Sequence, residues 1–295
     1  MNVKFNPDIC RSLLFLPAGN ERFLENALRG NADVIQIDLE DAIRPAQKEQ
    51  AREDAKHALE RIAQVGRVGV VRVNNEPSLL SRDLDALVGQ SLAGLTIPKV
   101  SSGDDLKRID EAITRLEENR RLPIGQIRLV AQIESASGVL NVREIANASP
   151  RLAAMGIGME DLAAELGSSV DRNALYFPSM LLLYAAREAG VTPLGYLGSI
   201  TIYNDADTFG RWIDEAKALG FEGGFCIHPN QVEILNTRFA PAADEAEQAR
   251  ALVEAFEARS DQGSGAFADD GRMVDKPVVD RARRTLKRYE ILAGR

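Results

Sequence analysis

Short apolar runs, each closed by small or polar residues and followed by a stretch with helical spacing, recur through the first 240 residues of the chain. Residues 12–16 (SLLFL) stop at Pro17, Ala18 and Gly19, and residues 21–29 take helical spacing behind Asn20, which suits an N-cap. Residues 33–38 (DVIQID), 68–73 (VGVVRV), 95–97, 129–133 (LVAQI) and 152–157 read as further buried strands, with helices at 48–62 and 104–116 between them. A strongly apolar helix at 177–188 precedes a weak seventh strand at 191–197, and a helix at 207–219 leads to an eighth strand at 223–229 (GGFCIHP). Strands that alternate with helices predict a parallel sheet, and eight such units predict a TIM (β/α)8 barrel. After Asn236 the pattern changes to a helix at 244–259, a loop at 262–272 with Gly263, Gly265 and Gly271, and a helix at 279–292 with a basic face. Residues 1–240 are expected to form the barrel and residues 241–295 a C-terminal helical extension.

Composition narrows the partners. The chain of 295 residues has room for a barrel of about 250 residues and an extension. Its 36 basic and 44 acidic residues leave a net charge of −8, which argues against nonspecific binding to nucleic acid or an anionic membrane. Two distant cysteines, Cys10 and Cys226, offer neither a disulfide framework nor a metal-binding CxxC. The start MNVKFNPDIC has no apolar signal core, and no run approaches the roughly 20 apolar residues of a spanning helix. A soluble, cytoplasmic protein is expected.

In an α/β barrel the chemistry sits where strands end and βα loops begin. Two consecutive apolar runs end near a carboxylate, Glu134 after residues 129–133 and Asp161 just beyond residues 152–157, so both acids are expected at one site. The run at 33–38 also delivers Asp38, Glu40 and Asp41, whose partners would be arginines or the water shell of a metal. Arg72, at the end of the third strand, has two readings: an internal ion pair with an acid such as Glu40, or a clamp for a substrate carboxylate. Arg11 and Arg22 bracket the first strand and loop, as solvated surface groups or as a clamp for phosphate or carboxylate. Asp275 is either the N-cap of the last helix or the single acid of a movable lid. Cys226 and His228 lie two apart on a strand, which places them on one face without making them a catalytic pair. Lys99 stands where a loop begins and is expected in a salt bridge or in solvent. Two carboxylates with no convincing histidine partner suit Mg2+, whose other positions a 2-oxo acid would fill through its carboxylate and carbonyl; that points to aldol or Claisen chemistry.

Eight collinear segments, RSLLFLPAGNERF, IDLEDA, VRVN, IPKV, QIESASGVLN, GMEDLAAELG, GFCIHPNQVEILNTRFAP and GRMVDKP, together resemble the citrate lyase β-subunit and malyl-CoA lyase group of CoA-ester lyases in the HpcH/HpaI aldolase superfamily. The resemblance spans nearly the whole chain. It implies a TIM barrel with a C-terminal extension, Mg2+ held by Glu134 and Asp161, and an oxo acid bound by Arg72. It also implies a trimer or hexamer in which Asp275, the family's lid acid, reaches a neighbouring subunit's site and handles the proton of the acyl group. Arg11 and Arg22 fall in the region that faces the CoA thioester. The chain departs from many relatives at Asn26, where a lysine is common, at Ser101, where a glutamate is common, and in PLGYLGSITIYND, which lacks the acidic DGVYTD form. The implied activity is cleavage or formation of a carboxylated 3-hydroxyacyl-CoA such as malyl-CoA or citramalyl-CoA. Alternatives are a CoA-independent metal-dependent 2-oxo-acid aldolase, a malyl-CoA thioesterase, or a citrate lyase β-type subunit that needs partner subunits.

Overall fold

The apolar runs become the staves of a closed barrel because every second residue faces inward and the rest face a ring of helices. In the computed structural model, which describes residues 4–260, 266–269 and 272–294, the strands are β1 (Ser12–Pro17), β2 (Val34–Asp38), β3 (Gly69–Arg72), β4 (Gly94–Ile97), β5 (Arg128–Ile133), β6 (Leu152–Ile157), β7 (Thr192–Leu194) and β8 (Gly224–Cys226). All neighbours pair in parallel, in the order β8–β1–β2 through to β7. A bridge between Leu194 and Gly223 and the bond from the Gly195 amide to the Gly223 carbonyl (2.8 Å) close the circle.

Between the strands run α1 (Glu21–Arg29), α2 (Lys48–Gln64), α3 (Pro77–Leu87), α4 (Gly103–Asn119), α5 (Ala136–Leu140), α6 (Val142–Ala146), α7 (Met159–Leu166), α8 (Arg172–Ala189), α9 (Ala206–Leu219) and α10 (Pro229–Phe239). Their starts follow local chemistry. The Asn20 side chain accepts the Phe23 amide, and Ser102 with Asp105 forms a capping box at α4. The outer core packs Leu14, Ile35, Val71, Leu95, Leu129 and Met155 against the helices. A separate inner core holds Leu13, Val34, Val70, Val130, Leu194 and Phe225.

Continuing the inner phase along each strand brings Gln36 and Asp38 after Val34, Arg72 after Val70, and Gln132 and Glu134 after Val130. The barrel interior thus changes from apolar to polar towards the C-terminal ends of its strands. The two weak strands are shorter than their apolar runs suggest: 191–197 yields only Thr192–Leu194 and 223–229 only Gly224–Cys226. Gly195 adopts φ +153, which turns the chain out of the sheet.

The chain divides into two compact units, Met1–Phe239 and Ala240–Arg295. The second contains α11 (Ala243–Ser260), the antiparallel strands β9 (Phe267–Asp269) and β10 (Arg272–Val274), and α12 (Lys276–Ala293). The expected loop over 262–272 is therefore partly a hairpin; Gly263, Gly265 and Gly271, expected as its flexible points, lie outside the described residues. The last helix starts three residues earlier than its apolar spacing indicates, because Asp275 caps it by accepting the Val278 amide (3.4 Å) and Pro277 fits its first turn.

Candidate active site

Asp38 and Arg72 are register partners at the ends of β2 and β3, so their side chains leave the sheet side by side. The pair is bidentate: Arg72 Nε and Nη2 donate to the two Asp38 oxygens at 2.8 and 2.7 Å. Arg72 Nη1 lies 3.1 Å from Glu40 Oε2, and the guanidinium sits over the Phe15 ring, 4.7 Å from its centroid. Of the two readings of Arg72, internal pairing is what the structure displays, with Asp38 as principal partner. Burial works against the Arg72 charge, but the bonds to Asp38 and the charges of Asp38, Glu40 and Glu134 hold it protonated.

The loop after β2 is fixed from below. Lys48 Nζ donates to the carbonyls of Leu39 and Glu40 (both 2.6 Å) and to Asn74 Oδ1 (2.7 Å). Asn74 in turn donates to buried Asp83, which also accepts Arg52 Nε at 2.7 Å. Glu40 meets Lys99 Nζ at 2.5 Å, and burial pushes its carboxyl above the usual range although Arg72 and Lys99 pull the other way. Lys99 thus takes the salt bridge its position suggests, from a left-handed backbone (φ +53). The three acids at 38–41 find arginine and lysine partners. Sequence reading missed Lys48, Asn74 and Asp83; the signal was a lysine at the start of the helix that follows an acidic strand end.

Glu134 is the exception to this pairing. It directly follows β5, is 3% exposed, and neither of its oxygens has a hydrogen-bond partner. Burial first, then the charges of Glu40 and Asp161, raise its carboxyl to about 8, against the pull of Arg72 and Lys99. The neighbouring strand makes room for it with a glycine: a Cβ on Gly158 would lie 2.3 Å from Glu134 Cγ. Asp161, half-buried, stands in the first turn of α7 and faces the same space, and no hydrogen bond to its carboxylate is made among the described residues. The arrangement is a two-carboxylate one: no group of three or more His, Cys, Asp or Glu side chains among the described residues is set to hold a metal.

These groups share a cavity of about 100 Å³ at the C-terminal mouth of the barrel. Around the barrel its polar wall runs from Arg72 on β3 to Gln132 on β5 and Glu134 just after it, and on to Glu160 and Asp161 after β6. The rest of the wall is apolar, from Tyr196 and Ile200 after β7, through Phe225 on β8, to Phe15 on β1. Glu160 accepts the Ser199 hydroxyl, and the Tyr196 hydroxyl donates to the Phe225 carbonyl (3.0 Å).

Arg72, Glu134 and Asp161 are therefore brought together; Arg11 is not. It precedes β1 at the opposite end of the barrel, where Nε and Nη2 donate to Asp33 at 2.8 and 2.9 Å and Nη1 donates to the Asn236 carbonyl at 3.1 Å. The expectation of Arg11 as a substrate group is corrected: it locks the base of the barrel. Arg22 lies in the first turn of α1, on the mouth side, exposed and with no ion pair among the described residues. Asp275, in the second unit, is half-buried and caps α12. Cys226 is buried, with burial pushing its thiol up, and donates to the Leu13 carbonyl, while His228 stacks on Tyr203 at 5.1 Å; the two do different work.

Comparison with known proteins follows the same outline. The family model described as HpcH/HpaI aldolase/citrate lyase matches residues 11–229. The citrate lyase subunit beta of Escherichia coli K12 is 36% identical over 287 residues, covering 95% of this chain and 93% of that protein. A (3S)-malyl-CoA thioesterase of Cereibacter sphaeroides is 37% identical over 287 residues, covering 96% of each. Among solved structures, CitE of Mycobacterium tuberculosis in complex with magnesium, acetoacetate and coenzyme A superposes with a TM-score of 0.74 at 30% identity, over 97% of this chain and all (100%) of that one. No helix among the described residues is long and apolar enough to cross a membrane.

Proposed function

The chain belongs to the HpcH/HpaI aldolase/citrate lyase family, and from that premise we propose that it is a magnesium-dependent carbon–carbon lyase. It cleaves a carboxylated 3-hydroxyacyl-CoA of malyl-CoA or citramalyl-CoA type into an acyl-CoA and a 2-oxo acid, or condenses the two. The observation that carries this reading is Glu134, a buried carboxylate whose two oxygens are left unbonded beside a second acid, Asp161. An unpaired buried carboxylate is costly, and a hard divalent cation is the partner that accepts two carboxylates while leaving positions for water and substrate oxygens. The complex of the M. tuberculosis relative with magnesium, acetoacetate and coenzyme A supports the choice.

Glu134 and Asp161 would hold the Mg2+, which when bound supplies Lewis-acid polarisation of the substrate's oxo oxygen. The remaining work is done by side chains. Arg72 has five N–H donors, and its three contacts to Asp38 and Glu40 leave others for the carboxylate of the oxo acid. Asp38 and Glu40 keep that guanidinium charged and still, so it binds without first being ordered. Asp275 of a neighbouring copy, in a homotrimer or hexamer, takes a proton from the acyl-CoA methyl group in condensation and returns it to the α-carbon in cleavage. Arg22 at the mouth meets the CoA phosphates.

The test is product analysis with the purified chain, Mg2+ and malyl-CoA or citramalyl-CoA. A 2-oxo acid and an acyl-CoA formed in equal amounts are expected. Malyl-CoA hydrolysis is the second reading, favoured by the 37% identity to a (3S)-malyl-CoA thioesterase; it gives free CoA thiol and no 2-oxo acid. Neither product set from the chain alone would leave a citrate lyase β-type subunit that needs its partners.

A further inference from the structure

Helix α8 packs on α6 and on the strands β6 and β7. Its inner side buries Leu175, Leu182, Leu183 and Ala186. Positions that recur three or four residues apart form its outer side: Asn173, Phe177, Met180, Leu181, Tyr184 and Glu188. The outer stripe of a barrel helix is ordinarily polar. Here Phe177 and Tyr184 are 66% and 63% exposed, Met180 and Leu181 are half-buried between them, and only the two ends are polar. Arg143 on α6 donates to Glu188 through Nε and Nη2 at 2.8 and 2.6 Å, which sets the two helices side by side. Leu140, 79% exposed and one turn before Arg143, widens the stripe beside Tyr184, one turn before Glu188. These three are the most exposed large apolar side chains described in the barrel unit. A contiguous apolar patch on the outside of a barrel marks a contact surface.

The stripe also specifies its occupant. Counted outwards from the point between Met180 and Leu181, it reads aliphatic, aromatic, polar in both directions. A second α8 crossing antiparallel over that point sets Met180 on Leu181, Phe177 on Tyr184 and Asn173 on Glu188. Aliphatic meets aliphatic, ring meets ring, and the Asn173 amide donates to the Glu188 carboxylate. A parallel pairing would instead put Glu188 on Glu188. A patch complementary to itself under a two-fold rotation is what an isologous contact requires, and an unrelated partner would gain nothing from that symmetry.

We propose that the outer side of α8, with Leu140, is a two-fold contact between copies of this chain. A ring in which each copy lends Asp275 to the next is head-to-tail and contains no two-fold, so the α8 contact lies outside it and doubles it. With the trimer or hexamer of the lyase reading as premise, the assembly is the hexamer.

Sedimentation velocity of the full chain across a dilution series reads the contact without any measurement of turnover. An even-numbered species is expected of the unaltered chain. Phe177→Lys with Tyr184→Lys sets lysine against lysine across the two-fold. It should weaken the contact by about 100-fold or more, as loss of central aromatic anchors does, and halve the mass. Phe177→Lys with Tyr184→Glu sets lysine against glutamate at the same positions and should associate about tenfold more tightly than the lysine pair. Leu181→Cys, beside the axis, should crosslink to its copy with a short bismaleimide, whereas Cys10 and Cys226 are buried and should not react. An unaltered chain with no even-numbered species, or a mass that the lysine pair leaves unchanged, overturns the contact, as does failure of Leu181→Cys to crosslink. A chain that pairs but yields neither product set loses the lyase reading and keeps the contact.

Discussion

The two ends of the barrel deal with buried charge in opposite ways. At the N-terminal end, Arg151 is 3% exposed and all five of its guanidinium N–H groups are used: Nε on Asp110, Nη1 on Glu117 and the Ile127 carbonyl, Nη2 on Thr114 and Glu117. Glu117, wholly buried, also accepts the amides of Gly125 and Ile127. At the C-terminal end, Glu134 is just as buried and accepts nothing, and the buried side-chain oxygen of Gln132 also lacks a hydrogen-bond partner. A fold that saturates one set of ions and leaves another open is using the first for its own stability. The open set awaits something from outside.

Exchanging the charged groups at each end turns this contrast into numbers. Glu134→Gln removes a carboxylate that accepts no hydrogen bond from the protein. Turnover should fall by about 10³-fold or more, the several kcal/mol that metal polarisation supplies, and Mg2+ binding by calorimetry should be lost. Stability in chelator at neutral pH should hold or rise by about 1 kcal/mol, since folding no longer has to force a proton onto a carboxyl held at about 8. Arg151→Ala should do the reverse. It strands Glu117 and Asp110 and should cost about 3–5 kcal/mol in urea unfolding, while Mg2+ affinity of the folded protein stays the same. A Glu134→Gln variant as destabilised as Arg151→Ala would show that both ends are structural.

Asp275 tests whether the open end is completed from elsewhere. Its carboxylate caps α12, so its loss has a structural cost of its own, about 1 kcal/mol for a cap. Asn caps as well as Asp, which makes Asp275→Asn the informative change. Activity should fall about 100-fold with melting temperature and Mg2+ affinity unchanged, as expected for a lost acid/base group. Full activity would leave Asp275 as a cap alone.

What sequence made legible follows the same division. Apolar runs marked β1 to β6 because turn-forming or polar residues close each of them, whereas three-residue β7 and β8 merged with the apolar residues that follow them. Glu134 and Asp161 could be read because each sits one loop step past a strand. The pairing of Arg72 with Glu40 could be read as well, but its principal partner could not: Asp38 meets it through the β2–β3 register, and register is a property of the closed sheet. The same limit misplaced Arg11. One residue before a strand and a few residues after it look alike in a one-dimensional list, yet they lie at opposite ends of the barrel. The apolar wall of the cavity was invisible for a related reason, since Phe15, Ile200 and Phe225 come from three separate βα units that only closure of the barrel brings together.

Arg11 and Arg22 give the contrast its finest test, because the sequence offers them as equivalent brackets of one loop. Arg11 is engaged by Asp33 through two nitrogens and by the Asn236 carbonyl, so it belongs with Arg151. Arg22 is exposed at the mouth and pairs with no described residue, so nothing in the fold depends on it. Arg22→Ala should therefore leave unfolding free energy within about 0.5 kcal/mol of the parent, as for surface positions generally. Its effect should appear only against an anionic ligand: affinity for acetyl-CoA should weaken by about fivefold at low salt, and the difference should shrink as salt screens an exposed charge. Unaltered CoA affinity at every salt concentration would remove Arg22 from the site.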